Sequence, residues 1–86
     1  MYQIVIKPSA RKELRKLSVR IATNVAIKIE SLAQDPRPEG CKKLTNNKEN
    51  IWRIRVGDYR ILYTIDDEIS IVDIQHIGPR REVYKR

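Results

Sequence analysis

Apolar and polar residues alternate along residues 52–63, and a Gly57-Asp58 pair interrupts the alternation at its middle. A period of two is typical of half-buried strands, and a two-residue Gly-X loop suits a type II′ β-hairpin turn. Counting outward from this turn pairs Val56 with Tyr59, Arg55 with Arg60, Ile54 with Ile61 and Arg53 with Leu62. The pattern therefore predicts a hairpin with a defined register, on which the other elements can pack.

The two faces of this predicted hairpin differ in chemistry. One face is apolar and consists of Trp52, Ile54, Val56, Tyr59, Ile61 and Tyr63. The other is lined by Arg53, Arg55 and Arg60, which we expect to face water because the helices need the apolar side. Two arginines placed directly opposite each other, Arg55 and Arg60, cost stability unless an anion binds between them. The hairpin therefore predicts an anion site as well as part of the core.

The remaining apolar positions predict two helices and two further strands. Residues 2–6 and residues 69–77 are the β-prone runs. Ser9 is a candidate cap for a helix over residues 10–17, and Ser18 is a candidate cap for a second helix. The second helix carries an apolar stripe at helical spacing, formed by Ile21, Val25, Ile29 and Leu32. Because almost nothing separates the two helices, they should form an antiparallel αα-hairpin.

The order of these elements predicts the fold class. A strand, two helices and three strands form an α+β domain, in which an antiparallel-rich β-αα-βββ sheet carries the αα-hairpin on one face. The chain of 86 residues is long enough for one domain, which we take as 1–86. Three consecutive acids, Asp66 to Glu68, lie between two predicted strands. We interpret them as a tight turn rather than as a metal site.

Charge points to the class of partner. The formal net charge is +7 and 34% of the residues are charged, which favours a polyanionic or acidic partner. Arg11, Lys12, Arg15 and Lys16 crowd the first predicted helix, and they either contact a polyanion or form an ordinary solvated face. The single cysteine cannot form an internal disulfide, and no apolar run approaches the roughly 20 residues of a membrane span. Since no signal-peptide pattern is present either, we expect a cytoplasmic protein without a membrane partner.

A second group of candidate residues lies in the C-terminal tail. If the tail folds back over the polar face of the hairpin, Arg80 and Tyr84 join Arg53, Arg55 and Arg60 there. Guanidinium groups match the oxygens of a phosphate, and an aromatic ring can stack on a base. The alternative is a set of ordinary surface arginines together with a tyrosine that belongs to the core.

Two motifs together resemble one protein family. The sequence from Trp52 to Tyr63, followed by the acidic turn and by the run from Ile77 to Tyr84, is similar to the RelE branch of the RelE/ParE toxin superfamily. The preceding strand and helices fit the same family, so the resemblance covers nearly the whole chain. It implies a type II toxin that enters the ribosomal A site and cuts mRNA there. A cognate antitoxin would hold such a toxin inactive.

The resemblance also implies roles for individual residues. The catalytic set falls on Arg53, Arg55, Arg60, Arg80 and Tyr84, and the RNA-binding set comprises Arg11, Lys12, Arg15, Lys16 and Arg81. The implied reaction needs neither a metal ion nor a cofactor. In this reaction the 2′-oxygen attacks the adjacent phosphorus and the 5′-oxygen leaves. The free toxin is expected to be a monomer.

Two positions depart from the family pattern. Relatives often carry lysines where this chain has Arg53 and Arg55, and an arginine stays protonated, so the general base is unassigned. Pro79 stands where many relatives carry histidine, and the only histidine, His76, is either structural or a proton-transfer group. Two other functions stay open: a ParE-like inhibitor of DNA gyrase with the same fold, and an RNA-binding module without catalysis.

Overall fold

The computed structural model describes residues 1–45 and 50–79. Within these ranges the elements are β1 (Gln3–Ile6), α1 (Pro8–Arg15), α2 (Val19–Ser31), β2 (Lys42–Lys43), β3 (Trp52–Val56), β4 (Tyr59–Asp66) and β5 (Ile71–Pro79). The described strands form one sheet in the order β1-β5-β4-β3-β2, in which β1 and β5 are parallel and the other neighbours antiparallel. The predicted α+β fold is confirmed, and the short edge strand β2 is an addition that the pattern did not predict. Neither helix in the described part of the chain is long and apolar enough to span a membrane.

The starts of the two helices have different local causes. α1 begins at Pro8, and Lys7 rather than Ser9 occupies the N-cap position, without a side-chain cap. The predicted cap at Ser9 is therefore wrong, because a proline fits the first helical position, where its missing N–H has no intrahelical partner to lose. The predicted cap at Ser18 is confirmed, since its Oγ accepts a hydrogen bond from the Ile21 N–H at 3.4 Å.

The core lies between the two helices and the apolar face of the sheet. Its buried side chains are Ala10, Val25, Ile29, Leu32, Ile54, Ile61, Tyr63, Val72, Ile74 and Ile77. Val25, Ile29 and Leu32 belong to the stripe predicted for the second helix, and their burial confirms that face. The hairpin contributes Ile54 and Ile61 from its predicted apolar side.

Both predicted turns are present. The pairing of β3 with β4 agrees with the predicted register throughout. Gly57 has a φ of 59°, a left-handed conformation that glycine adopts without strain and that a type II′ turn requires there. At the turn after β4, the Asp66 carboxylate accepts hydrogen bonds from the N–H groups of Glu68 and Ile69. The acidic run therefore forms the tight turn that was predicted for it.

A β-bulge in β5 decides which of its residues enter the core. Leu62 pairs with His76, whereas the next residue of β4 pairs with Ile74. Gln75 is therefore an extra residue in β5. It allows Ile74 and Ile77 to lie on the same buried face although an odd number of positions separates them. His76 is directed to the opposite, open face.

α1 covers the part of β5 that β1 does not reach. The pairing of β1 with β5 ends at Ile6 and Ile74, and the Lys7 N–H then donates to the Ile74 carbonyl at 3.0 Å. Beyond this point Oε1 of Glu13 accepts a hydrogen bond from the Ile77 N–H at 2.9 Å. The first helix thus takes the place of a strand and satisfies a backbone donor at the edge of β5.

A cluster around Arg37 connects the loop after α2 to the sheet. The Arg37 guanidinium forms two hydrogen bonds with the Asp67 carboxylate, of 2.8 and 3.3 Å, and its carbon lies 5.2 Å from the ring centroid of Trp52. Tyr2 donates its hydroxyl hydrogen to the same carboxylate at 2.6 Å. The hydrogen bond from Arg37 lowers the pKa of Asp67, and the hydrogen bond to Asp67 raises the pKa of Tyr2. Because these groups are solvated, the cluster orients the loop more than it stabilises the fold.

Tyr63 anchors the same loop from inside and provides the first prediction. Its side chain is fully buried, burial raises the pKa of its hydroxyl, and the hydroxyl donates to the Pro36 carbonyl at 2.8 Å. Tyr63→Phe should lower the free energy of unfolding by about 1–3 kcal/mol, because a buried carbonyl loses its donor. Denaturant unfolding measures the loss, with Tyr59→Phe as a control at a half-buried tyrosine. Equal midpoints for the two variants would contradict the anchoring role.

Candidate nucleic-acid interface

The open face of the sheet carries the polar side of the hairpin in two rows of paired residues. The first row consists of Arg55, Arg60 and Gly78, and the second of Lys42, Arg53, Leu62 and His76. Directly paired residues project to the same face, with about 4.8 Å from strand to strand. The topology therefore gathers three predicted arginines and the only histidine of the chain on one surface.

The three arginines differ in exposure. Arg55 is exposed and Arg53 is half-buried, whereas Arg60 is only 2% exposed. The prediction that Arg60 faces water is therefore wrong, although its position opposite Arg55 is confirmed. Arg60 belongs to β4, the middle strand of the sheet, and Arg55 belongs to β3, close to the hairpin turn. A side chain enclosed as Arg60 is has little rotamer freedom.

His76 makes a contact that the sequence did not indicate. Its Nδ1 lies 2.8 Å from Oε2 of Glu13, whose other oxygen accepts the Ile77 N–H. The side chains of His76 and Glu13 are 33% and 31% exposed, so the pair lies at the surface. Glu13 and Ile77 are 64 positions apart, and no local pattern could have revealed the contact.

The basic face of the first helix borders this surface. The four predicted RNA-binding residues on α1 and at its C-cap are all exposed: Arg11, Lys12, Arg15 and Lys16. They belong to the helix that packs beside β5 and that reaches His76 through Glu13. Their position is compatible with a polyanion that spans α1 and the open face, and their role stays a prediction.

The C-terminal candidates Arg80, Arg81 and Tyr84 lie outside the described residues. Their predicted place beside the arginines therefore stays a prediction as well. β5 carries the chain as far as Pro79, which pairs with Tyr59 next to the hairpin turn.

The open face carries cationic side chains and one imidazole. Guanidinium groups provide several hydrogen-bond donors and no acceptor, so they can bind a phosphate and stabilise negative charge on it. They cannot take a proton from a substrate, whereas a neutral imidazole can. Among residues 1–45 and 50–79, no three or more His, Cys, Asp or Glu side chains are grouped to hold a metal ion.

Comparison with known proteins identifies the family. The sequence matches the family described as the ParE toxin of the type II toxin–antitoxin system parDE over residues 4–84. The chain belongs to the RelE/ParE toxin superfamily. The toxin is 35% identical over 85 residues to toxin RelE of Mycobacterium tuberculosis, which covers 98% of this chain and 87% of the relative. Toxin RelG of the same organism is 35% identical over 86 residues, which covers 99% of this chain and 98% of the relative.

The fold comparison agrees with the sequence comparison. The toxin superposes on a chain of the toxin–antitoxin complex RelBE2 from Mycobacterium tuberculosis with a TM-score of 0.82 and 32% identity. The superposition covers 92% of this chain and 98% of that chain. The predicted superfamily is therefore confirmed.

The pairing of Arg55 with Arg60 predicts a gain in stability when one charge is removed. Arg55→Gln should raise the melting temperature of the toxin by a few degrees at low salt, because directly opposed like charges cost about 0.2–1 kcal/mol. Added sulfate should stabilise the wild-type toxin more than the variant, since an anion relieves the repulsion. Arg20→Gln, which removes an exposed charge from α2, is the matched control in thermal melts. Equal shifts for both variants would contradict an anion site at this pair.

Proposed function

We propose that the toxin is a ribosome-dependent endoribonuclease that cuts mRNA in the ribosomal A site. The observation that carries this proposal is the pairing of Arg55 with Arg60, beside Arg53 on the open face of the sheet. Guanidinium groups placed side by side match the oxygens of a phosphate. The relatives named as RelE and RelG toxins support a reaction of the RelE type.

The proposed reaction is a transesterification without metal or cofactor. The 2′-oxygen of one nucleotide attacks the adjacent phosphorus, and negative charge grows on the phosphorane oxygens. Arg55 and Arg60 stabilise this charge, which is where preorganised donors contribute most. Arg53 binds the same phosphate, Arg80 neutralises the departing 5′-oxygen, and Tyr84 stacks on the nucleotide.

Two macromolecular partners follow from the proposal. The basic face of α1, together with Arg81, binds ribosomal RNA while the open face receives the message. A cognate antitoxin binds the toxin and holds it inactive, by analogy with the toxin–antitoxin complex RelBE2 of Mycobacterium tuberculosis. The free toxin is then a cytoplasmic monomer.

Cleavage of a defined message on purified ribosomes tests the nuclease activity. Wild-type toxin should cut within translated codons, and the message should stay intact when ribosomes are left out. Arg55→Gln should reduce the single-turnover rate constant by about 10²–10³-fold, as the loss of one oxyanion donor does in other enzymes. Arg20→Gln should cleave like the wild-type toxin.

The family match supports a second candidate function, because its description names a ParE toxin. A ParE-like chain would inhibit DNA gyrase and would cut no RNA. A supercoiling assay with purified gyrase separates the two candidates. Inhibition of gyrase without cleavage of mRNA would reject the nuclease, and the absence of both activities would favour an RNA-binding module.

The basic face of α1 gives a prediction about salt. Each phosphate that the toxin neutralises should add about 0.7–0.9 to the slope of log affinity against log salt. Replacing Arg11, Lys12, Arg15 and Lys16 together with glutamine should weaken ribosome binding and flatten that slope, while the melting curve stays cooperative. Ribosome binding measured at several salt concentrations provides the test. An unchanged slope would assign the four residues to ordinary solvated surface.

A further inference from the structure

Glu13 holds the imidazole of His76 in one orientation. Its Oε1 accepts the Ile77 N–H at 2.9 Å, and its Oε2 lies 2.8 Å from Nδ1 of His76. A carboxylate accepts hydrogen bonds and cannot donate them, so Nδ1 carries the hydrogen and Nε2 of the neutral ring keeps its electron pair. A carboxylate in this position fixes the tautomer and the direction of a histidine that exchanges protons through its other nitrogen.

His76 lies on the same face as the arginines. It pairs with Leu62, which pairs with Arg53, so two strand spacings, about 10 Å, separate the backbones of His76 and Arg53. An arginine and a histidine at this separation can contact one nucleotide between them. About one-third of the His76 side chain is exposed, at 33%, so the ring lies at the surface.

The elements packed around His76 carry several charged groups. They are Lys7 before α1, Arg11, Lys12, Glu13 and Arg15 on α1, Lys16 directly after it, Arg60 and Asp66 on β4 and Asp73 on β5. His76→Gln removes the imidazole and leaves all of these groups in place, so this variant tests whether a change in rate with pH comes from the imidazole.

We propose that His76, oriented by Glu13, is the general base of the cleavage reaction, an inference that rests on the proposed nuclease function. Nε2 takes the proton of the attacking 2′-hydroxyl while the O2′–P bond forms and the P–O5′ bond breaks. The departing 5′-oxygen takes a proton from water, and the imidazolium returns its proton to the solvent. The products are a 2′,3′-cyclic phosphate and a 5′-hydroxyl, and the enzyme is regenerated.

In this role His76 provides a proton acceptor, which the arginines cannot provide. Arg53 and Arg55 lie on the open face, but a guanidinium has no acceptor and stays protonated. An imidazole is the side chain best matched to proton transfer near neutral pH, and a positioned base of this kind contributes typically about 10²–10⁴-fold to a rate. His76 is then a further catalytic residue, and Glu13 is its positioning residue.

Single-turnover cleavage on ribosomes, followed from about pH 5.5 to 8, tests the assignment across the range in which an imidazole titrates. The wild-type rate constant should fall toward acid pH as Nε2 becomes protonated. His76→Gln should lower it by about 10²–10⁴-fold and remove the acid limb of the profile. Glu13→Gln should lower it by about 10–100-fold and keep the acid limb, because the base is present but poorly oriented. Glu30→Gln, at an exposed carboxylate on α2, is the matched control.

Nitrogen NMR gives a readout that does not depend on activity. His76 is the only histidine, so its ring signals need no assignment by mutation. The wild-type toxin should show the Nδ1–H tautomer, and Glu13→Gln should give a mixture of tautomers. The Nε2–H tautomer in the wild-type toxin would overturn the proposal, even if His76→Gln failed to fold.

The kinetic outcomes distinguish the role of His76 from the nuclease function itself. If folded His76→Gln cleaves at the wild-type rate with the same acid limb, the pair merely links α1 to β5, and the nuclease function stands. If wild-type toxin cuts no message on ribosomes, the nuclease function and the role of His76 fall together.

Discussion

The two-residue turn at Gly57 and Asp58 sets the pairing of β3 with β4, and the rest of the molecule depends on that pairing. Side chains alternate between the faces of a sheet, so a slip of one residue would move each of them to the wrong side. The arginines would then lie against α2, and Ile54 and Ile61 would face water. The left-handed backbone at Gly57 therefore determines both the hydrophobic core and the cationic surface.

On the open face, like charges lie on neighbouring strands whose pairing is fixed by the sheet. Arg60 is enclosed on the middle strand, and Arg55 is fixed opposite it by the ladder of β3 and β4. Such an arrangement is unfavourable for folding, and in the proposed reaction it would place the donors before the phosphate binds. The apolar side of the same strands supplies the packing that offsets the repulsion.

Local patterns predict much of this fold because the hairpin register and the helix caps depend on residues close together in the sequence. The hairpin register follows from the turn and the alternation, and the cap of α2 follows from Ser18. The cap of α1 does not, because Pro8 competes for the start of the helix one residue before Ser9. At this helix the proline, and not the serine that follows it, sets the first residue.

The candidate site is predictable in its charges and not in its burial or orientation. Alternation places Arg53, Arg55 and Arg60 on one face, but it does not predict that Arg60 is almost fully buried there. The contact of Glu13 with His76 requires the β-bulge, the end of β1 and the path of α1 together. None of these is a local property of the sequence.

The parallel pairing of β1 with β5 also has a consequence for the nascent chain. β1 precedes the other described strands in the sequence, yet it pairs with the last of them, from Gln3 opposite Ile71 onward. During translation β1 and both helices emerge before β5, the strand that joins β1 to the sheet. Until β5 is synthesised, they lack their long-range contacts with it. In the nascent polypeptide the lysines and arginines of α1 and α2 are therefore present before the strands that carry Arg53, Arg55 and Arg60.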